Sequence, residues 1–200
     1  MKTIYLVRHA ETTWNLEGKV QGSQDTQLSM DGLAQTLKTV AFLSALRFDT
    51  ILTSPLARAR AIAEPVGVNL GILPIVMSEL REIEFGGWEG HSWNEIGAMY
   101  PTTLAAWELK SPEARPEGGE SLDDVRHRAE KVRSVVEVSP GNVALIVAHG
   151  GFNRVLISVL LDLPLSSYSS FIQPNASISI FEAGEGKWQV RVIDSTCHLA

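Results

Sequence analysis

Cysteine is nearly missing: Cys197 stands alone in 200 residues. A lone thiol excludes an internal disulfide and every zinc or iron–sulfur site built from several thiolates. Long apolar runs are missing too. The most apolar stretch, Val155 to Leu165, is interrupted by Ser158, Asp162 and Pro164, well short of the roughly 18–20 residues a membrane span needs. Met1-Lys2 opens a run that meets Arg8 and His9 at once, too brief for a signal-peptide core. The expectation is a cytoplasmic protein with no membrane contact. Nor is there an excess of positive charge. Seventeen Lys and Arg face 23 Asp and Glu, a formal net charge of −6, which argues against coating nucleic acid or anionic lipid. What is present is a globular composition, 44% hydrophobic and 20% charged. Such a chain buries a core without staples and fits a single domain, 1–200. Five histidines are left as the conspicuous reactive groups.

Short β-type runs alternate with longer helical patterns. Thr3–Val7, Asp49–Thr53 and Val143–Val147 are continuous apolar or β-branched runs, as expected of strands covered on both faces. From Asp31 to Leu46, the residues Leu33, Leu37, Val40, Ala41 and Ser44 share one helical face. From Leu122 to Val136, Leu122, Val125, Ala129, Val132 and Val136 step by three and four, and Ser121 with Asp124 resembles a capping box. A third helix is expected after His149-Gly150, with Val155, Leu156, Val159 and Leu160 inward. Near the end, Ser177–Phe181 and Trp188–Ile193 flank a Gly184-Glu185-Gly186 turn, a hairpin or sheet edge. The alternation predicts an α/β fold: three layers, α/β/α, around a mainly parallel sheet with an antiparallel edge strand. The irregular segment from about 92 to 119, with Trp93 and Trp107, reads as a small helical lid.

Three polar clusters follow three predicted strands: Arg8-His9, then Ser54 with Arg58, then His149-Gly150-Gly151. In open α/β sheets the carboxyl ends of parallel strands form the ligand crevice, so these groups can meet there. Arginine offers a planar fork of donors suited to phosphate. A neighbouring guanidinium disfavours imidazolium, and a neutral imidazole is a nucleophile. Fixed cations stabilise the charge of a phosphoryl group in transfer. The set suits phosphoryl transfer through a phosphohistidine. Departure of an alkoxide also needs a proton donor, and the loop Leu80–Gly90 holds three carboxylates, Glu82, Glu84 and Glu89, among which spacing does not choose. The bland readings run alongside. His127 falls on the polar face of its helix, His91 is incidental, and Trp14, Trp88, Trp93 and Trp107 are packing.

Leu6-Val7-Arg8-His9-Ala10-Glu11-Thr12 resembles the signature of the histidine phosphatase superfamily, which includes cofactor-dependent phosphoglycerate mutases and many small phosphatases. The resemblance continues in order through Trp14-Asn15, Gln21-Gly22, Leu28-Ser29, Ser54–Ala59, Leu80-Arg81-Glu82, Phe85–Gly90, Gly118–Ser121 and Val147–Gly150. It implies that His9 is the nucleophile, that Arg8, Arg58 and His149 hold the phosphoryl oxygens, and that Glu82 is the acid that later activates water. Asn15 matches a position near the phosphate pocket; Gln21 and Gly22 are candidates for contacting the rest of the substrate. The Gly150 N–H, at a predicted helix start, is our added oxyanion donor. Ala10, Ala148 and Ile62 depart from the usual residues, and Ile62 leaves open how the helix bearing Arg58 is held at its start.

The mutases this chain resembles are longer. The compact form resembles the bacterial phosphatase branch, with its α-ribazole, metal-independent phosphoserine and broad-specificity phosphatases. The expected activity is a metal-independent phosphomonoesterase with no cofactor, acting on a small phosphorylated metabolite. A phosphoglycerate mutase and a non-catalytic binding module are the alternatives. Expected partners are the phosphomonoester and, at most, a second copy in a homodimer. The ending Asp194–Leu199 resembles that branch too, with His198 placed either at the pocket rim or in tail packing.

Overall fold

Thr3–Arg8 forms strand β1, and its alternation decides how the two halves of the core are divided. Ile4 and Leu6 face one apolar layer and Val7 the other. Strand β2 (Thr50–Thr53), the two-residue β3 (Ile75–Val76) and β4 (Val143–Ala148) lie parallel to it; β5 (Ile178–Gly184) and β6 (Lys187–Ser195) close the other edge antiparallel. The order is β3-β2-β4-β1-β5-β6. This is the expected α/β sheet, mostly parallel with an antiparallel edge. The computed structural model describes residues 2–109, 111, 113–184 and 186–200; Lys110 and Pro112 of the expected lid, and Glu185 of the expected turn, lie outside the described residues. Among the described residues, no helix is long and apolar enough to cross a membrane.

The helices are α1 (Thr13–Leu16), α2 (Met30–Ser44), α3 (Ala57–Leu70), α4 (Trp93–Met99), α5 (Pro101–Glu108), α6 (Leu122–Val138) and α7 (Gly150–Leu160). α6 buries the five residues its spacing selects, and Ser121 and Asp124 close the capping box. α7 turns Val155, Leu156 and Leu160 fully inward, with Val159 partly buried against the same layer. α4 and α5 form the lid, where Trp107 packs on Phe85 and Trp88 with ring centroids 5.7 and 5.8 Å apart.

α2 departs from its apolar pattern. Gly32, Thr36, Thr39 and Leu43 are buried, whereas Leu33 and Leu37 are 47% and 72% exposed. A backbone contact fixes the rotation. A Cβ on Gly32 would lie 1.9 Å from the Glu11 carbonyl oxygen, and the cap residue Ser29 accepts from Gly32 N–H at 2.9 Å while donating to Glu11 at 2.6 Å. Close approach and capping therefore select the face that hydrophobicity alone would leave outside. The short β3 is an addition to the expected strands. Ile75 and Val76 are both exposed, so it carries no alternation to read.

The tail is also settled. His198 Nε2 lies 3.0 Å from Thr39 Oγ1 and its ring 5.3 Å from Phe42, so it packs on α2 and takes no place at the pocket rim.

Candidate active site

The carboxyl ends of β1, β2 and β4 meet a crevice, and the ladder itself brings the two site histidines together. Arg8 is paired with Ala148, so the residues one step further, His9 and His149, stand side by side with ring centroids 5.2 Å apart. His9 Nδ1 lies 2.7 Å from the Ala10 carbonyl oxygen. A carbonyl can only accept, so Nδ1 carries the proton and Nε2 keeps a free lone pair. Burial, then Arg58 and Arg8, hold the ring well below the usual histidine range. It is a neutral imidazole with a free ring nitrogen.

His149 is fully buried, its Nε2 2.7 Å from Ser54 Oγ. Burial and then Arg58 depress it in the same direction. It stands beside His9, and His9, Arg8, Arg58, Glu82 and Gly150 line a cavity of about 180 Å³. Asn15, Gln21 and Gly22 also reach its wall. Asn15 Oδ1 accepts from Thr12 N–H at 3.2 Å and from Asn175 Nδ2 at 3.0 Å, and Gln21 Oε1 accepts from Thr26 at 2.7 Å. Gly22 acts through its backbone. Its φ is +53°, a Cβ would sit 1.9 Å from Glu89 Oε1, and its carbonyl accepts from Arg58 at 2.8 Å.

Arg58 is enclosed. Its guanidinium also donates to the Gln24 carbonyl at 2.6 Å and lies 3.7 Å from Asp25. The same Asp25 carboxylate accepts from Ala57 N–H at 3.0 and 2.9 Å. That capping contact holds the start of α3 in place of a hydroxyl, with Ile62 turned into the core. Arg8 donates to the Gln173 carbonyl at 2.5 Å; burial lowers it to about 10 against the opposing pull of Glu82, which leaves it charged at neutral pH.

The three loop carboxylates separate by what they touch. Glu84 pairs with Arg81 at 2.9 Å. Glu89 pins the loop by accepting from Ser23 N–H at 2.9 Å and Phe85 N–H at 3.1 Å. Glu82 alone of the three lines the cavity. Its oxygens accept from Gly151 N–H (3.0 Å) and Phe152 N–H (2.8 Å), two of the donors left without an intrahelical partner at the start of α7. Gly150 and Gly151 make the approach possible: a Cβ would lie 3.1 Å from Arg8 Nε at the first and 2.6 Å from Glu82 Oε1 at the second.

Arg154, Tyr168 and Lys19 are cavity-wall residues that the motifs did not single out. Arg154 lies one turn beyond Gly150 on α7, a signal that i, i+4 spacing carries; Tyr168 gives none. Among the described residues, no three His, Cys, Asp or Glu side chains stand close enough to share a metal ion. Two guanidiniums, a neutral imidazole with a free lone pair and a carboxyl across one small cavity can accept, transfer and release a phosphoryl group.

The family model described as histidine phosphatase superfamily (branch 1) matches residues 4–196. Phosphoserine phosphatase 1 of Hydrogenobacter thermophilus is 32% identical over 200 residues, covering 100% of this chain and 95% of that protein. A probable phosphoglycerate mutase of Cronobacter sakazakii is 30% identical over 189 residues, covering 94% and 88%. Among solved structures, a mycobacterial glucosyl-3-phosphoglycerate phosphatase complexed with VO3 superposes with a TM-score of 0.88 at 29% identity, covering 98% of this chain and 100% of the other.

Proposed function

This chain belongs to branch 1 of the histidine phosphatase superfamily, and from that premise we infer a phosphomonoesterase that works through a phosphohistidine on His9. The chain is a phosphoric monoester hydrolase acting on small phosphorylated substrates. The residue roles, the metal independence and the location are our reading. The observation that carries it is the His9 Nδ1 to Ala10 contact, which leaves Nε2 unprotonated beside two guanidiniums.

In the first step Nε2 attacks phosphorus and the ester P–O bond breaks. The leaving oxygen takes its proton from Glu82. Arg8, Arg58, the Gly150 N–H and His149 steady the phosphoryl oxygens as charge redistributes; Asn15, Gln21 and the backbone of Gly22 complete the wall. In the second step Glu82 takes a proton from water, the water oxygen bonds to phosphorus, and the P–N bond breaks. Inorganic phosphate and neutral His9 result. No step calls for a metal, so activity should survive chelator and fall with vanadate.

Enzyme mixed with 32P-labelled substrate and denatured at alkaline pH, where phosphohistidine survives, should carry label on a peptide containing His9. A His9→Ala variant with full turnover overturns the reading. The relative named as a probable mutase makes phosphoryl return to the substrate the competing outcome: 3-phosphoglycerate conversion that depends on a bisphosphoglycerate primer would mark it. We read residues 1–200 as one catalytic domain on the single sheet, with the lid choosing the substrate. Small phosphorylated metabolites as substrates support a cytoplasmic location, which cell fractionation checks. Light scattering checks the homodimer, for which Leu73, Ile75 and Val76, exposed at the β3 edge, are the apolar surface a second copy would cover.

A further inference from the structure

Three non-glycine residues with left-handed backbone cluster beside the cavity: Gln173 at φ +52°, Ala176 at +56° and Asp194 at +53°. Such conformations persist where the surroundings over-determine them, often at functional sites. Here the surroundings are explicit. The Asp194 carboxylate accepts from Ile172 N–H at 3.0 Å, from Gln173 N–H at 2.9 Å and from the Gln173 side-chain amide. Gln173 is buried, its Oε1 accepts from Asn153 of α7 at 3.0 Å, and its carbonyl accepts from Arg8 at 2.5 Å. Just beyond, Ala176 N–H donates to the His9 carbonyl at 3.0 Å. Among the described residues the Gln173 carbonyl is the hydrogen-bond partner of the Arg8 guanidinium, whose buried Nε has none.

We propose that Asp194 is a positioning residue for phosphoryl binding: by clamping Gln173 it fixes the carbonyl that aims the Arg8 guanidinium into the cavity. Asp194 itself does not line that cavity. A hairpin latch alone would end at the backbone N–H groups; this one continues through Gln173 to both Arg8 and the helix whose first turn holds Glu82.

The proposal rests on Arg8 binding the phosphoryl group, so its test is equilibrium binding of inorganic phosphate, which needs no turnover. Titration calorimetry on wild type, D194A, D194N, R8A and the R8A/D194A double variant is paired with KM and kcat on p-nitrophenyl phosphate. D194A should raise the phosphate Kd and the KM about tenfold or more, with one site per chain retained. D194N, which keeps one acceptor, should fall between. The double variant should bind no more weakly than R8A, because Asp194 acts through Arg8. Additive losses in the double variant overturn the proposal, as does an unchanged Kd with fewer sites per chain, the mark of a merely structural role. If D194A does not fold, D194N and its double with R8A decide by the same criteria. Wild-type protein that binds no phosphate refutes the site assignment, and the proposal with it.

Discussion

Replacing Gly151 by alanine separates proton donation from phosphoryl binding. The added Cβ would stand 2.6 Å from Glu82 Oε1 and 2.9 Å from Ile83 Cδ1, roughly 0.7 Å inside van der Waals contact with the oxygen. The carboxyl must retreat by about that distance, opening its bonds to Gly151 and Phe152 N–H. The two bonds contribute about 0.5–1.5 kcal/mol each, while alanine in a helix gains about 1 kcal/mol over glycine. Folding stability should therefore fall by no more than ~2 kcal/mol. Chemistry is less forgiving, since a misplacement of order 1 Å costs about 10²-fold. The loss should depend on the leaving group. For glycerol phosphate, whose alkoxide needs the proton, kcat/KM should fall about 100-fold; for p-nitrophenyl phosphate, whose phenolate leaves unaided, it should fall several-fold at most. Gly150→Ala crowds Arg8 instead and should depress both substrates alike. Equal losses on the two substrates with Gly151→Ala, or none, would refute Glu82 as the proton donor.

Buried neutral histidines make acid sensitivity predictable. His9 and His149 are depressed by burial first and then by Arg58, so below the unfolded value near 6.5 the unfolded chain binds more protons and stability falls as pH drops. Each should cost on the order of 1 kcal/mol at pH 5.5 relative to pH 8; urea titrations of wild type and His9→Gln check this, and an unchanged pH slope in the variant contradicts it. The acid limb of kcat/KM should correspondingly lie below pH 6.5. Arg58→Lys loses the fork that spans the Gly22 and Gln24 carbonyls. It should lower kcat/KM by about 10²-fold or more, and a near-wild-type value would count against bidentate binding. Asp25→Ala removes the α3 cap and should lower stability by about 1–2 kcal/mol, read from the denaturant midpoint, with a raised KM as Arg58 loosens.

Legibility followed the physics of each element. β1, β4, α6 and α7 are buried by side-chain pattern, so their period exposed them in sequence, and with them the meeting of His9 and His149. α2 is oriented by Gly32 against the Glu11 backbone, a contact to which periodicity is blind. Arg8, His9, Arg58 and Glu82 were legible because they follow strands or occupy a short motif. Gln173 and Asp194 were not, because Gln173 acts through a backbone carbonyl and the Asp194 carboxylate acts on residues 21 and 22 positions earlier, a pairing that spacing does not reveal. Glu82 is set apart from Glu84 and Glu89 by the family resemblance and by its place on the cavity wall.

β1 is flanked by β4 and β5, and its ladder with β4 joins residues 140 apart, Arg8 to Ala148. During synthesis at about 5–20 residues per second, the strand that leads into His9 therefore waits roughly 7–30 s for its first neighbour. Throughout that interval an apolar β-former with two open edges is exposed on the nascent chain, the kind of segment that chaperones shield and that aggregates when they do not. Because both histidines follow directly on this pairing, newly made protein should gain activity only when the central ladder closes, which makes turnover a clock for that closure.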